Sequence, residues 1–193
     1  MKKVKDNITE EQFKLLISSL KGNDTIRVNR RDRLIKQFNL LYYLGIRVNE
    51  TTQFTNNMII ELLNNKRLVI KSHKQHSEKN VYLSDNGVKQ LKKIFTDTTS
   101  NNNYVFTSER GTNNQMNPLS IVRDVNTYLK TVFGQNTRIT SHSFRQTLIS
   151  NMSSKGINVK IIQNLIGHKS INTTYRYIKT SETDLLSSLE LVR

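Results

Sequence analysis

Apolar residues return every three or four positions along most of this chain, the period of a helix that buries one face. In NITEEQFKLLISSLKG, Asn7 and Thr9 stand where helix caps stand, Glu10 and Glu11 lead the first turn, and Gly22 ends the run. RRDRLIKQFNLLYYLG keeps the same period through Leu34, Ile35, Phe38, Leu41 and Leu44 and stops at Gly45. A further helix is expected to begin near Val48. The rhythm then changes. MIIELLNNKRLVIKSHKQHSEKNVYLS holds three short β-rich runs, MIIEL, RLVIK and NVYLS, which predict a small antiparallel sheet whose second turn is SHKQHSEK. Past Asp85 helices resume in GVKQLKKIF and, after the loop SERGTNNQMN, in PLSIVRDVNTYLKTVFG, SFRQTLISNMSSKG, NVKIIQNLIG and SINTTYRYIK. Pro118 and Leu119 suit a helix start, and Gly134 and Gly156 suit stops. The expected fold is mainly α with a small three-stranded antiparallel β-sheet (α+β).

The length of 193 residues suits one domain with its own core, so residues 1–193 read as a single unit. Thirty Lys and Arg against fifteen Asp and Glu give a formal charge of +15, a field that attracts polyanions. Nucleic acid is the first candidate, because neutralising phosphates releases counterions and drives binding. An anionic membrane surface competes less well: no apolar run approaches the roughly 18 residues of a span, and MKKVKDNITEEQF lacks a signal-peptide stretch. A soluble, cytoplasmic, DNA-associated protein is expected, with no membrane partner. The absence of cysteine excludes disulfides, thiol catalysis and most structural zinc sites. His73 and His76 are the only close histidine pair, with Glu78 alone nearby, so no metal is expected, and no phosphate-binding Gly-x-x-x-x-Gly-Lys loop occurs. No cofactor is expected.

Chemistry concentrates in four places. Arg47 follows a helix-ending glycine in GIRVNE; Lys74 sits in the polar turn; His142 and Arg145 lie three apart in SHSFR; His168 and Tyr177 belong to IGHKSINTTYRY. Three apart on a helix, His142 and Arg145 leave the same face. Upstream, Arg27, Arg30, Arg31, Arg33 and Lys36 form a basic segment that reads equally as a solvated face or as phosphate contacts.

Together these motifs resemble the tyrosine recombinase family, the phage integrases and Xer-type enzymes, across most of the chain. GIRVNE resembles the family's first arginine box, Gly-[Leu/Ile]-Arg-x-x-Glu, with Arg47 as the arginine and Glu50 as the acid. SHSFR is similar to His-x-x-Arg, and IGHKSINTTYRY to Leu-Gly-His followed nine residues later by tyrosine, which selects Tyr177 over Tyr175. Setting EKNVYL against Glu-Arg-x-Val-Pro-Leu places Lys74 at the family's lysine, with Lys71 and Lys79 as alternatives. Ile166 replaces the usual leucine, and Gln146 stands where a second histidine is frequent.

The resemblance implies a site-specific DNA recombinase with the catalytic-domain fold of that family. Tyr177 would attack the scissile phosphate and become joined to the 3′ phosphate. Arg47 and Arg145 would grip the non-bridging oxygens, a task suited to a guanidinium fork. Lys74 would protonate the leaving 5′ oxygen, His142 would act as base or relay, and His168 would donate to the phosphate. Arg27, Arg30, Arg31, Lys71 and Lys79 are the expected DNA-binding cations, and Tyr175 would pack or touch the DNA backbone. Expected partners are double-stranded DNA, further copies of the chain in a tetrameric synapse, and accessory DNA-bending proteins. The amphipathic tail 181–193 would link protomers. Only 46 residues precede Arg47, so a separate N-terminal DNA-clamping domain is not expected. A non-catalytic DNA-binding derivative and a type IB topoisomerase-like enzyme are the alternatives.

Overall fold

A computed structural model describes residues 6–72, 78–107 and 113–178. It falls into two compact units, residues 1–148 and 149–193. Eight α-helices, one 3-10 helix and one two-stranded sheet make up the described residues.

The first unit opens with α1 (Glu10–Lys21), closed at its start by a capping box in which Thr9 and Gln12 bond each other's backbone amides. Helix α2 (Val28–Leu44) turns Leu34, Phe38, Leu41 and Leu44 inward. It stops at Gly45, which takes the left-handed conformation at φ 59° and donates its N–H to the Leu41 carbonyl. That single turn redirects the chain into Ile46 and Arg47. Phe38, Phe54, Phe106 and Phe144, all fully buried, anchor the core, with Phe38 stacked on Phe144 at 5.8 Å. Each such ring stabilises the unit by about 1.5–3 kcal/mol through burial.

The segment after Gly45 begins the expected helix at Val48 and then departs from the sequence expectation once. Residues Val48–Gln53 form a 3-10 helix, and MIIEL is not a strand: it lies within α3 (Asn56–Asn65). Thr55 caps α3 by accepting from the Met58 amide, and the inward residues Ile59 and Leu62 are three apart, a helical spacing that a strand cannot bury on one face. The β-branched isoleucines carried the strand prediction, but tertiary burial overrides so weak a preference. Lys66, at φ 56°, ends α3 and feeds β1 (Arg67–Lys71), which pairs antiparallel with β2 (Glu78–Tyr82) from Arg67↔Tyr82 to Lys71↔Glu78. The sheet therefore has two strands among the described residues, not three. Leu68, Ile70 and Val81 point into the core. Most of the turn SHKQHSEK, including Lys74, His73 and His76, lies outside the described residues.

The predicted helices follow as α4 (Asp85–Ile94), α5 (Pro118–Phe133), α6 (Ser141–Ser154), α7 (Val159–Ile166) and the short α8 (Ile171–Tyr175). The unit boundary falls within α6. In the second unit Gly167 ends α7 in the left-handed region at φ 73°. The tail 181–193 lies outside the described residues. No described helix is long and apolar enough to cross a membrane, and no described His, Asp or Glu cluster could hold a metal.

Candidate active site

In the first unit Arg47 and Lys79 meet at one buried carboxylate. Glu50, on the 3-10 helix, has a fully buried side chain. Its Oε2 accepts from the Arg47 backbone amide at 2.9 Å and from the Lys79 ammonium at 2.6 Å, and its Oε1 accepts from Arg47 Nη1 at 3.1 Å. Burial alone would push the Glu50 carboxyl up; the nearby Lys79 charge and hydrogen bond, with Arg47, outweigh it and hold the group below the ordinary carboxylate range. Burial likewise pushes Lys79 down, to about 8, against the upward pull of Glu50, and the positive charges of Arg145 and Arg47 press the same way.

Arg145, from α6, is almost wholly buried and donates through Nη1 to the Gly45 carbonyl at 3.1 Å. The left-handed turn at Gly45 thus does two jobs: it ends α2 and offers a carbonyl that seats the second arginine. His142, one helical turn earlier, is exposed. The start of α6 is held by Asn126, whose Oδ1 accepts from the Ser141 amide at 2.9 Å. Gln53 fastens the 3-10 helix to the end of β1, donating to the Lys71 carbonyl at 3.0 Å and accepting from the Lys71 amide at 2.8 Å. Lys71 itself is exposed beside the turn that carries Lys74.

The basic segment of α2 is partly neutralised within the chain. Arg30 meets Asp124 at 2.7 Å, Arg33 meets the other oxygen of Asp124 at 3.1 Å, and Arg31 lies 3.6 Å from Asp24. Arg27, at the head of α2, is exposed.

The second unit holds His168 by short-range bonds. His168 is buried, and its Nδ1 lies 2.9 Å from the Thr174 hydroxyl, which fixes the ring plane. Gln163 donates from Nε2 to the His168 carbonyl at 2.9 Å and accepts, through its own carbonyl, from the His168 amide at 3.0 Å. Tyr177 lies in the turn just past α8, half-buried, its ring stacked on His168 at 6.0 Å and 21°. Its amide bonds the Thr174 carbonyl, and its own carbonyl accepts from the Ser150 hydroxyl at 3.4 Å. Tyr175 is half exposed.

Residues 6–183, which include every one of these groups, match the family model described as the phage integrase family. The chain belongs to the phage integrase family. It is 27% identical over 192 residues to tyrosine recombinase XerA of Pyrococcus horikoshii, covering 98% of this chain and 62% of that protein. XerA of Pyrococcus furiosus is 28% identical over 187 residues, covering 95% and 60%. XerC of Rickettsia canadensis is 29% identical over 148 residues, covering 77% and 47%. The chain thus spans about three-fifths of the length of these XerA relatives. Among solved structures, XerA recombinase superposes with a TM-score of 0.68 at 22% identity over 100% of this chain and 67% of that one. XerH bound to difH substrate before cleavage gives 0.71 at 17% identity, over 100% and 55%. The mainly α fold with its small antiparallel sheet is therefore that of tyrosine recombinase catalytic domains.

Sequence reasoning had marked Glu50 as part of the arginine box but not as the receptor of Lys79, a pairing fixed only when β2 folds against the 3-10 helix. Gln53 and Thr174 gave no local signal at all.

Proposed function

We propose that this phage integrase family member is a site-specific DNA recombinase working through a 3′-phosphotyrosine intermediate. One observation carries the reading: the residues matched by the phage integrase family model, 6–183, run from before Arg47 to beyond Tyr177 and take in each motif. The Tyr177 hydroxyl loses its proton and attacks the scissile phosphorus; a P–O bond to tyrosine forms as the P–O5′ bond breaks. Arg47 and Arg145 stabilise the additional negative charge on the non-bridging oxygens, and each is already oriented, by Glu50 and by the Gly45 carbonyl. Such preorganisation spares the reaction the cost of arranging donors at the moment charge develops.

Lys74 supplies the proton to the leaving 5′ oxygen, His142 relays protons, and His168, its ring set by Thr174, donates to the phosphate. The bond energy is stored, so a partner strand's 5′ hydroxyl can reverse the step and exchange strands. Double-stranded DNA is the substrate in the cytoplasm, met by Arg27, Arg30, Arg31 and Lys71 on a chain of formal charge +15, while Lys79, also expected from the sequence to meet DNA, is instead seated on Glu50. Chains assemble as a tetrameric synapse with residues 181–193 linking protomers, and DNA-bending proteins assist.

The test is incubation with nicked duplexes tiling the DNA that flanks its own gene, followed by SDS denaturation. An SDS-stable adduct that disappears in Tyr177→Phe supports the proposal. Tight DNA binding with no adduct on any duplex, including random genomic fragments, would turn the reading toward a non-catalytic DNA-binding protein.

A further inference from the structure

We propose that Lys79 is a charge-setting positioning residue of the cleavage step: seated on Glu50, its ammonium helps hold that carboxylate under Arg47 and raises the positive charge around the scissile phosphate. The inference rests on the recombinase reading above. Its ground is the geometry of a saturated carboxylate. Glu50 Oε2 is shared by Lys79 Nζ at 2.6 Å and the Arg47 amide at 2.9 Å, leaving Oε1 to orient the Arg47 guanidinium at 3.1 Å. The Lys79 side chain is only 10% exposed, so this ammonium is built into the unit and is not a surface cation waiting for DNA.

The charge balance gives the residue its work. Among the described residues, the groups that bear on Lys79 are Glu50 and Arg47 from the 3-10 helix and Arg145 from α6; on the sheet its cross-strand partner is the neutral Ile70, with Glu78 and Lys71 at the adjacent paired position. Arg47, Arg145 and Lys79 against Glu50 leave a net +2 while Lys79 is protonated and +1 when it is not. A phosphodiester carries one negative charge and its five-coordinate transition state approaches two, so the protonated cluster favours the transition state over the ground state more strongly than the deprotonated one. Burial among like charges brings Lys79 down to about 8, which places the loss of that charge within a range an assay reaches.

The experiment measures single-turnover adduct formation on the nicked duplexes between pH 6.5 and 9.5, for wild type, Lys79→Arg and Lys79→Met, alongside duplex affinity and thermal unfolding. Wild type should lose about tenfold in rate across the alkaline part of this range as one proton leaves. Lys79→Arg, whatever its rate at neutral pH, should lose that alkaline fall, because a guanidinium keeps its charge. Lys79→Met should cleave about 100-fold more slowly, the scale of one lost transition-state donor, with duplex affinity changed little. An alkaline fall that persists unchanged in Lys79→Arg would overturn the inference while leaving the recombinase reading intact. No adduct from wild type at any pH would overturn the recombinase reading and this inference with it.

Discussion

The two units differ in how far along the chain the bonds around Arg145, Lys79 and His168 reach. In residues 1–148 the bonds reach far along the chain: Lys79 to Glu50 spans 29 positions and Arg145 to Gly45 spans 100. In residues 149–193 the bonds around His168 are short, with His168 to Thr174 spanning six and Gln163 to His168 five, while the Ser150 hydroxyl reaches the Tyr177 carbonyl over 27. Long-range bonds among buried charges cannot open without opening the surrounding core, whereas a helix of five residues held by neighbours can open alone. The proposed phosphate clamp is accordingly set among long-range bonds of the first unit, and the proposed nucleophile follows a short helix of the second.

The hardest blow to that contrast would be dealt at its centre. Glu50→Ala leaves Arg47 and Lys79 buried or part-buried beside Arg145 without their carboxylate, and should cost about 3–5 kcal/mol in denaturant unfolding of the whole first unit. A loss below about 1 kcal/mol would mean the cluster is solvated like a surface pair. Thr174→Val removes the hydroxyl against the buried His168 ring and should cost about 1–3 kcal/mol. Hydrogen exchange should localise that cost: amides of α7 and α8 lose protection while those of α2 keep theirs. Equal loss in α2 would show that the second unit does not open on its own. Smallest of all, Tyr175→Phe alters a half-exposed side chain and should change stability by no more than about 0.5 kcal/mol.

Legibility from sequence follows the same division of range. The helices announced themselves because caps and stops are local: Thr9, Gly45, Pro118 and Gly134 each lie at a helix end. MIIEL misled because a short apolar run shows no period, and the Thr55 cap that decides it lies before the run. The motif residues were legible one by one, but the partners that fix them were not. Nothing near Lys79 in sequence says that its ammonium meets Glu50, and nothing near Arg145 points to the Gly45 carbonyl. His142 and Arg145 sit one turn apart as expected, yet one is exposed and the other buried, because the packing around α6 and not the spacing sets depth.

The most direct test of the account is to find which atom carries the DNA. Trypsin cuts after Arg176, so Tyr175 and Tyr177 leave in separate peptides, 170–176 and 177–179. The adduct formed on a nicked duplex would be trimmed with nuclease, digested and read by mass spectrometry. The account predicts a nucleotide joined through its 3′ phosphate to Tyr177, with peptide 170–176 unmodified. A nucleotide on Tyr175, or a tyrosine joined to a 5′ phosphate, would contradict it.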